Sequence, residues 1–349
     1  MVDQRVARGA LEPPKFSEPD EEAVRFFHEE GYLLMEGVLD VERDLEPVFE
    51  EYEALLGELC RRWRERGELS STYEDLPFPE RIARVAGEKG AAYQHPMNIS
   101  LTLQGLTEDS PLHLGPAVFN LITSPRLLDV LEPLVGPEIS SHPLQHVRMK
   151  PPAQVVSAAT DPHALLVQAT DWHQDLAFLL PEADDSGIVG AWVPIVDATV
   201  ENGCLMVVPG SHRDGVHEVC WTTADKKAFR LAPQRVPEEA AVPLPVNRGS
   251  VLFLNPFILH ASLPNQSDGI RWSFDLRYIP TGPPTGRPGF PSFPVRSRSD
   301  PASEVSDPGH WAEMWHETRR RLVRSGEEPV LYRWAEVDAR TPGGLPVCD

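Results

Sequence analysis

Ile270-Arg271-Trp272-Ser273-Phe274-Asp275-Leu276-Arg277-Tyr278 alternates polar and apolar side chains after its first residue. A period of two marks a β-strand with two unlike faces. Trp272, Phe274, Leu276 and Tyr278 share one face, which belongs against a core. Arg271, Ser273, Asp275 and Arg277 share the other, whose charges either line a pocket or meet solvent. Working outward, β-rich segments recur at 143–149, 164–170, 188–194, 204–208 and 250–259. Polar turns such as Asp184-Asp185-Ser186-Gly187, Glu201-Asn202-Gly203 and Asn265-Gln266-Ser267-Asp268-Gly269 separate them. Many short strands with polar turns predict a mainly β fold, a sandwich or jelly roll.

Helical patterns flank this region. Ser17 is placed to cap a helix over 19–30, with Asp20, Glu21 and Glu22 in its first turn and Gly31 past its end. Tyr32 to Met35 reads as a short strand. Leu45, Val48, Phe49, Tyr52, Leu55, Leu56, Leu59 and Trp63 recur at helical steps, and Gly67 closes the run. Ser124 and Pro125 open a further helix that Gly136 ends. Residues 68–115 read as irregular, either a pocket mouth or surface loops, and 280–305 as an extended wrap. Asp307-Pro308 opens a last helix with Trp311, Met314, Trp315 and Leu322 on one face, ending near Gly326. The expected layout is one domain over 1–349. It comprises a helical part at about 17–136, a β core at about 139–280, and a C-terminal wrap and helix at about 281–349.

The 349 residues are 41% hydrophobic and 24% charged, ordinary values for a globular chain. A formal charge of −21 argues against nucleic acid and anionic membranes as partners, while leaving room for a local basic pocket. No apolar run is long enough to cross a membrane. Cys60, Cys204, Cys220 and Cys348 are scattered, which argues against a zinc ribbon or disulfide scaffold and suits a reducing compartment. Met1 to Lys15 has no apolar secretory core, so a cytoplasmic location is expected. No oligomeric state follows from the sequence.

The residues that carry chemistry are His173-Gln174-Asp175 and His260. A histidine and a carboxylate two residues apart on an extended segment point to the same side. With one distant histidine they form a 2-His-1-carboxylate face, which binds Fe(II) and leaves the opposite positions open. His260 ends the apolar run Val251–Leu259, so a strand is expected to deliver it to a barrel mouth. Arg271 follows after one short turn, within reach to clamp a dicarboxylate with its planar fork. His28 reads as a surface residue and His212 as structural.

In order and spacing, several short pieces resemble the phytanoyl-CoA dioxygenase family of Fe(II)- and 2-oxoglutarate-dependent oxygenases, from about residue 21 to 280. They run from Phe26-Phe27-His28-Glu29-Glu30-Gly31-Tyr32 and Glu36-Gly37-Val38-Leu39 to Lys150-Pro151-Pro152 and Trp172-His173-Gln174-Asp175. Asn202-Gly203-Cys204-Leu205, Pro209-Gly210-Ser211-His212, Arg248-Gly249-Ser250, His260-Ala261-Ser262 and Arg271-Trp272-Ser273 follow. The resemblance implies a double-stranded β-helix (jelly roll, cupin-like) with flanking helices. It implies His173, Asp175 and His260 as iron ligands, with Arg271, Ser262 and Ser273 on the distal carboxylate of 2-oxoglutarate. Lys150 and Trp192 match positions that line the cosubstrate pocket, and His146 and Arg148 share a strand face with Lys150. With O2, the implied reaction oxidises a C–H bond and releases succinate and CO2. Asp175 occupies the place where related halogenases have a small residue, so oxygenation is the expected outcome. A small secondary metabolite or amino-acid derivative is the expected substrate. An acyl-CoA is the alternative, its phosphates needing cations such as Arg287, Arg296 and Arg298. A non-catalytic jelly-roll binding protein and a zinc hydrolase stand as readings from other classes.

Overall fold

The computed structural model describes residues 13–101, 103, 105–156, 167–221, 229–326, 329, 333–334, 338 and 344–348. Among them the helices are α1 (Glu21–Glu30), α2 (Glu46–Glu65), α3 (Phe78–Lys89), α4 (Pro116–Ile122), α5 (Pro125–Val135) and α6 (Pro308–Ser325). The strands are β1 (Tyr32–Met35), β2 (Glu138–Ser141), β3 (His146–Lys150), β4 (Val189–Pro194), β5 (Leu205–Val207), β6 (Val219–Trp221), β7 (Phe229–Leu231), β8 (Val242–Leu244), β9 (Val251–Leu254), β10 (His260–Ser262), β11 (Arg271–Pro280) and β12 (Phe293–Ser297).

The alternating segment is the hub. β11 pairs with β4 on one side and with β3 and then β2 on the other, all antiparallel. The large sheet runs β1-β9-β4-β11-β2-β12, with β3 beside β11; a second sheet runs β10-β5-β8. Apolar side chains of β11 point outward, where helices cover them. The Trp272 ring lies 5.6, 5.1 and 5.2 Å from the rings of Phe49, Tyr52 and Phe78. The α2 stripe is therefore a core stripe. The inner face meets the second sheet through Trp192, Leu252 and Leu254 on one side and Leu205, Val207 and Leu244 on the other. The fold is mainly antiparallel β with flanking helices, a jelly roll opened on one side by its cavity.

Several expectations need correction. Asp20, not Ser17, caps α1, accepting from the amides of Glu22 and Ala23 at 3.0 and 2.9 Å. Within 68–115 lie α3 and a 3-10 turn, Gly90–Met97. The prolines at the start of α3 sit in its first turn, where a missing N–H is harmless, and do not mark a loop. The run 250–259 is not one strand. β9 stops at Leu254, since Pro256 offers no ladder N–H, and β10 begins afresh at His260 in the other sheet. Of the expected strand 164–170, residues 167–170 are irregular and the rest lie outside the described residues. The 280–305 wrap contains β12, which pairs with β2 at the sheet edge.

The cysteine reading also changes. Cys220 and Cys348 form a disulfide with a Cα–Cα distance of 5.1 Å, while Cys60 and Cys204 are free and buried. The tail runs beside β6, with Trp221 donating to Pro346 O and Cys348 donating to Trp221 O, both at 2.9 Å. The bond removes cysteine usage as an argument for a reducing compartment. No described helix is long and apolar enough to cross a membrane.

Candidate metal and cosubstrate centre

His173 and His260 are direct cross-strand partners. Each backbone N–H donates to the other's carbonyl at 3.0 Å, which extends the small sheet by one residue pair. Opposed residues of such a pair send their side chains to the same face, and the two rings lie 4.1 Å apart. Gln174, between the motif's two polar ends, is buried. Its amide donates to Gly215 O and Phe257 O at 2.7 and 2.6 Å, and its Oε1 accepts from His217 N at 2.9 Å. Those three bonds pin the loop. Asp175 then opens a 3-10 turn, Asp175–Phe178, itself held by Arg333 donating to Leu176 O at 2.9 Å. Asp175 Oδ1 lies 3.9 Å from His173 Nε2 and 3.8 Å from His260 Nε2.

The chemistry of this trio suits a cation. His173 Nδ1 lies 2.8 Å from Asp171 O, and His260 Nδ1 lies 3.1 Å from Ile258 O. A carbonyl only accepts, so each Nδ1 donates and each Nε2 is the ring nitrogen turned toward Asp175. Burial, aided by His260, pushes the His173 pKa down to about 3, leaving a neutral imidazole. Burial, the largest single influence, would raise the Asp175 carboxyl, but the charge and hydrogen bonds of Arg277 together with the two neighbouring histidines hold the group well below the usual carboxylate range. The three ligand atoms all lie within 4.8 Å of one another. They fit one metal ion, and the donor set suits iron(II).

A second cluster lies along the inner faces of β3 and β11, where Lys150 sits opposite Arg271 and Arg148 opposite Ser273. Lys150 and Arg271 are each 1% exposed, and among the described residues neither meets a carboxylate within ion-pair distance. Lys150 donates to Ser262 Oγ at 2.7 Å and to Thr170 Oγ1 at 2.9 Å. Arg271 donates to Ser273 and lies over the Trp192 ring, 5.5 Å from its centroid, while its buried Nε has no partner. Burial lowers the Arg271 pKa to about 10 and, with Arg271 nearby, pushes Lys150 well below its usual range. A buried guanidinium beside a buried amine, neither against a carboxylate of the described residues, suits a ligand carboxylate, which is what 2-oxoglutarate would bring.

His173, Asp175 and His260, together with Thr170, Trp192 and Arg271, border one cavity of ≈ 1090 Å³. Leu101, Leu103 and Leu106 line it, as do Phe178 and, from the end of α6, Leu322 and Val323. Part of the 68–115 segment is therefore cavity wall. Arg148 also lines the cavity and pairs with Asp275 at 2.8 Å. His146, lowered to about 3 by burial and by Arg148, contacts Ser100 at 3.1 Å. Of the three arginines weighed for coenzyme A phosphates, Arg296 is taken by Asp129 and Glu132 and Arg298 by Glu132. Arg287 lines the cavity.

Sequence reasoning missed three groups here. Arg277 grips Asp175 with both arms of its fork, Nε to Oδ2 at 2.9 Å and Nη2 to Oδ1 at 2.6 Å. Thr170 orders Lys150, and Gln174 anchors the motif. Only Arg277 left a signal, as the fourth member of the polar face of β11.

A model of the phytanoyl-CoA dioxygenase (PhyH) family matches residues 27–273. The human peroxisomal phytanoyl-CoA dioxygenase is 25% identical over 257 residues, 73% of this chain; the match spans 66% of the human protein. A probable phytanoyl-CoA dioxygenase of Caenorhabditis elegans is 24% identical over 261 residues, covering 73% of each chain. Among solved structures, the non-heme monooxygenase ThoJ superposes with a TM-score of 0.52 at 17% identity, over 87% of this chain and 100% of ThoJ. That likeness speaks to the fold.

Proposed function

The chain belongs to the phytanoyl-CoA dioxygenase family of iron(II)- and 2-oxoglutarate-dependent oxygenases, and on that footing we propose that His173, Asp175 and His260 hold iron(II) for the oxidation of a small molecule's C–H bond. The observation that carries the reading is the pairing of two features in one cavity. The trio His173, Asp175 and His260 lines it together with Arg271, and Lys150 lies buried opposite Arg271 on β3. A zinc hydrolase would have no use for the second feature, and a non-catalytic jelly roll none for the first.

When bound, iron(II) and 2-oxoglutarate together supply the O2-dependent chemistry that breaks a C–H bond, with succinate and CO2 as products. The chain's residues do the rest. Arg271 binds the distal carboxylate with its fork, and Ser262, Ser273 and Lys150 complete the cradle. Trp192 lies against the guanidinium and fixes its plane. Leu101, Leu103, Leu106 and Leu322 keep water from the substrate side.

For the substrate, a small secondary metabolite or amino-acid derivative fits better than an acyl-CoA. The acidic residues beside Arg296 and Arg298 already neutralise two of the three cations the phosphates would need. Anaerobic addition of Fe(II) and 2-oxoglutarate tests the centre. A weak visible metal-to-ligand charge-transfer band is expected in the wild type with Fe(II) but not with Zn(II), and is expected to be absent from His173→Ala. No band in the wild type, or a full band in His173→Ala, overturns the reading. Succinate formation without added substrate then tests turnover.

A further inference from the structure

We propose that Arg277 is a positioning residue that aims Asp175 at the metal and makes that coordination corner a site for an anion, whether tethered or free. The inference rests on the iron-centre reading above and goes beyond it to a residue outside the ligand set.

The geometry is specific. Asp175 has two oxygens with different neighbours. Oδ1 is the one near both histidine Nε2 atoms, at 3.9 and 3.8 Å. Oδ2 is held by Arg277 Nε at 2.9 Å and faces Gly190, where an added Cβ would lie 3.7 Å from it. Arg277 Nη2 also reaches Oδ1, at 2.6 Å. A planar fork that takes both oxygens fixes the carboxylate's plane as well as its position. With Oδ2 turned to the guanidinium, Asp175 offers the ion one oxygen, not two.

The fork is itself held. Arg277 Nη1 donates to Leu144 O at 3.0 Å, and the residue opposite it on β4 is Gly190, which has no side chain to crowd it. Arg277 is 6% exposed. It cannot swing to solvent without breaking three hydrogen bonds and leaving a carboxylate buried.

Charge adds a second consequence. The Asp175 carboxylate carries −1, and Arg277 brings the pair to zero. The full charge of a divalent ion is then available to attract a dianionic cosubstrate. If the Asp175 carboxylate is removed, Arg277 still offers two N–H groups toward the same corner. An untethered carboxylate has the same chemistry as the lost side chain and would dock there.

The test uses the full chain and Co(II), whose visible d–d bands report coordination. Wild-type protein is expected to bind Co(II); if it does not, the iron-centre reading fails, and with it the basis of this inference. If it does, Arg277→Gln is expected to weaken Co(II) binding about 10- to 100-fold and to alter the d–d bands, with Arg277→Lys intermediate. A merely structural pair would lower the melting temperature and leave the bands of the bound ion unchanged. The second arm holds even if Arg277→Gln does not fold. Asp175→Gly is expected to lose Co(II) binding and to regain it with added formate. Asp175→Gly/Arg277→Gln, which carries neither charge, is expected to show no formate effect. Formate is also expected to raise the melting temperature of metal-free Asp175→Gly but not of the double variant. Unchanged affinity and bands in Arg277→Gln, or a formate response absent from Asp175→Gly or equal in both glycine variants, overturns the proposal.

Discussion

Arg271 and Arg277 stand on the same face of the same strand, six residues apart, and the chain treats them oppositely. Both are almost wholly buried, at 1% and 6% exposure. Arg277 has a carboxylate of the chain against both arms of its fork. Arg271 has a hydroxyl and an aromatic ring, and its Nε has no partner. Burial acts to lower both guanidinium pKa values, but for Arg277 the charge and hydrogen bonds of Asp175, with the charge of Asp275, together exceed burial and raise it, whereas Arg271 falls to about 10. A buried cation paired within the chain is part of the architecture. A buried cation that faces a cavity unpaired is part of a binding site.

That contrast yields its largest effect in stability. Arg277→Met leaves a buried carboxylate alone and is expected to destabilise the metal-free protein by about 3–5 kcal/mol. Arg271→Met removes a buried charge that has no partner, so the metal-free protein should be unchanged or more stable. Urea unfolding of both variants decides it, and equal losses would break the contrast. The second effect is on binding. Arg271→Met is expected to weaken 2-oxoglutarate binding by at least about 2 kcal/mol, roughly 30-fold, while metal affinity stays put. Titrating the charge-transfer band against 2-oxoglutarate, and Co(II) against the metal-free protein, separates the two terms.

The two arginines also differ in how far sequence discloses them. Alternation put both on the polar face of β11, and the spacing from His260 singled out Arg271. Nothing local tied Arg277 to Asp175, because that pairing depends on β4 and on the loop that Gln174 pins. The ligand trio was legible for a similar reason to Arg271: short motifs in fixed order. Its geometry was not, since the cross-strand pairing of His173 with His260 needs the strand to end before Asn255-Pro256 and a new one to start at His260. The helical stripe of α2 was legible from period alone. α3 carries the same period in Phe78, Ile82, Val85 and Ala86, but its prolines suggest a loop to a reader who does not place them in the first turn. The Cys220–Cys348 bond joins residues 128 apart and has no sequence signature.

Next in size is a pH response from the neighbourhood of Arg277. His142 accepts from Leu144 N at 3.0 Å, contacts Thr285 O at 2.8 Å, and is pushed down to about 3 by burial, with Arg277 adding to the shift. Its folded pKa lies below the ordinary histidine value, so as pH falls the unfolded chain takes the proton first. Stability is therefore full above about pH 6.5 and declines as pH drops toward 3. By pH 5 the loss from this one residue is about 2 kcal/mol. His142→Gln, which retains an acceptor and a donor but cannot titrate, should flatten the decline between pH 7 and 5. An identical slope in wild type and variant would show that the burial of His142 does not govern it.

The smallest effect tests whether the roles of the two arginines are separable. Among the described residues, Trp192 is the ring that lies over Arg271. Trp192→Leu keeps an apolar side chain in a position 4% exposed but removes the π-face under the guanidinium. A cation–π contact of this kind contributes about 0.5–1 kcal/mol, so 2-oxoglutarate affinity should fall about two- to five-fold. Co(II) affinity should not move, because Asp175 takes its orientation from Arg277 and not from Arg271. If the tryptophan change weakens metal binding as much as cosubstrate binding, the distinction between a paired and an unpaired arginine does not describe how this cavity works. If only the cosubstrate term moves, the two arginines act on different ligands from one strand face.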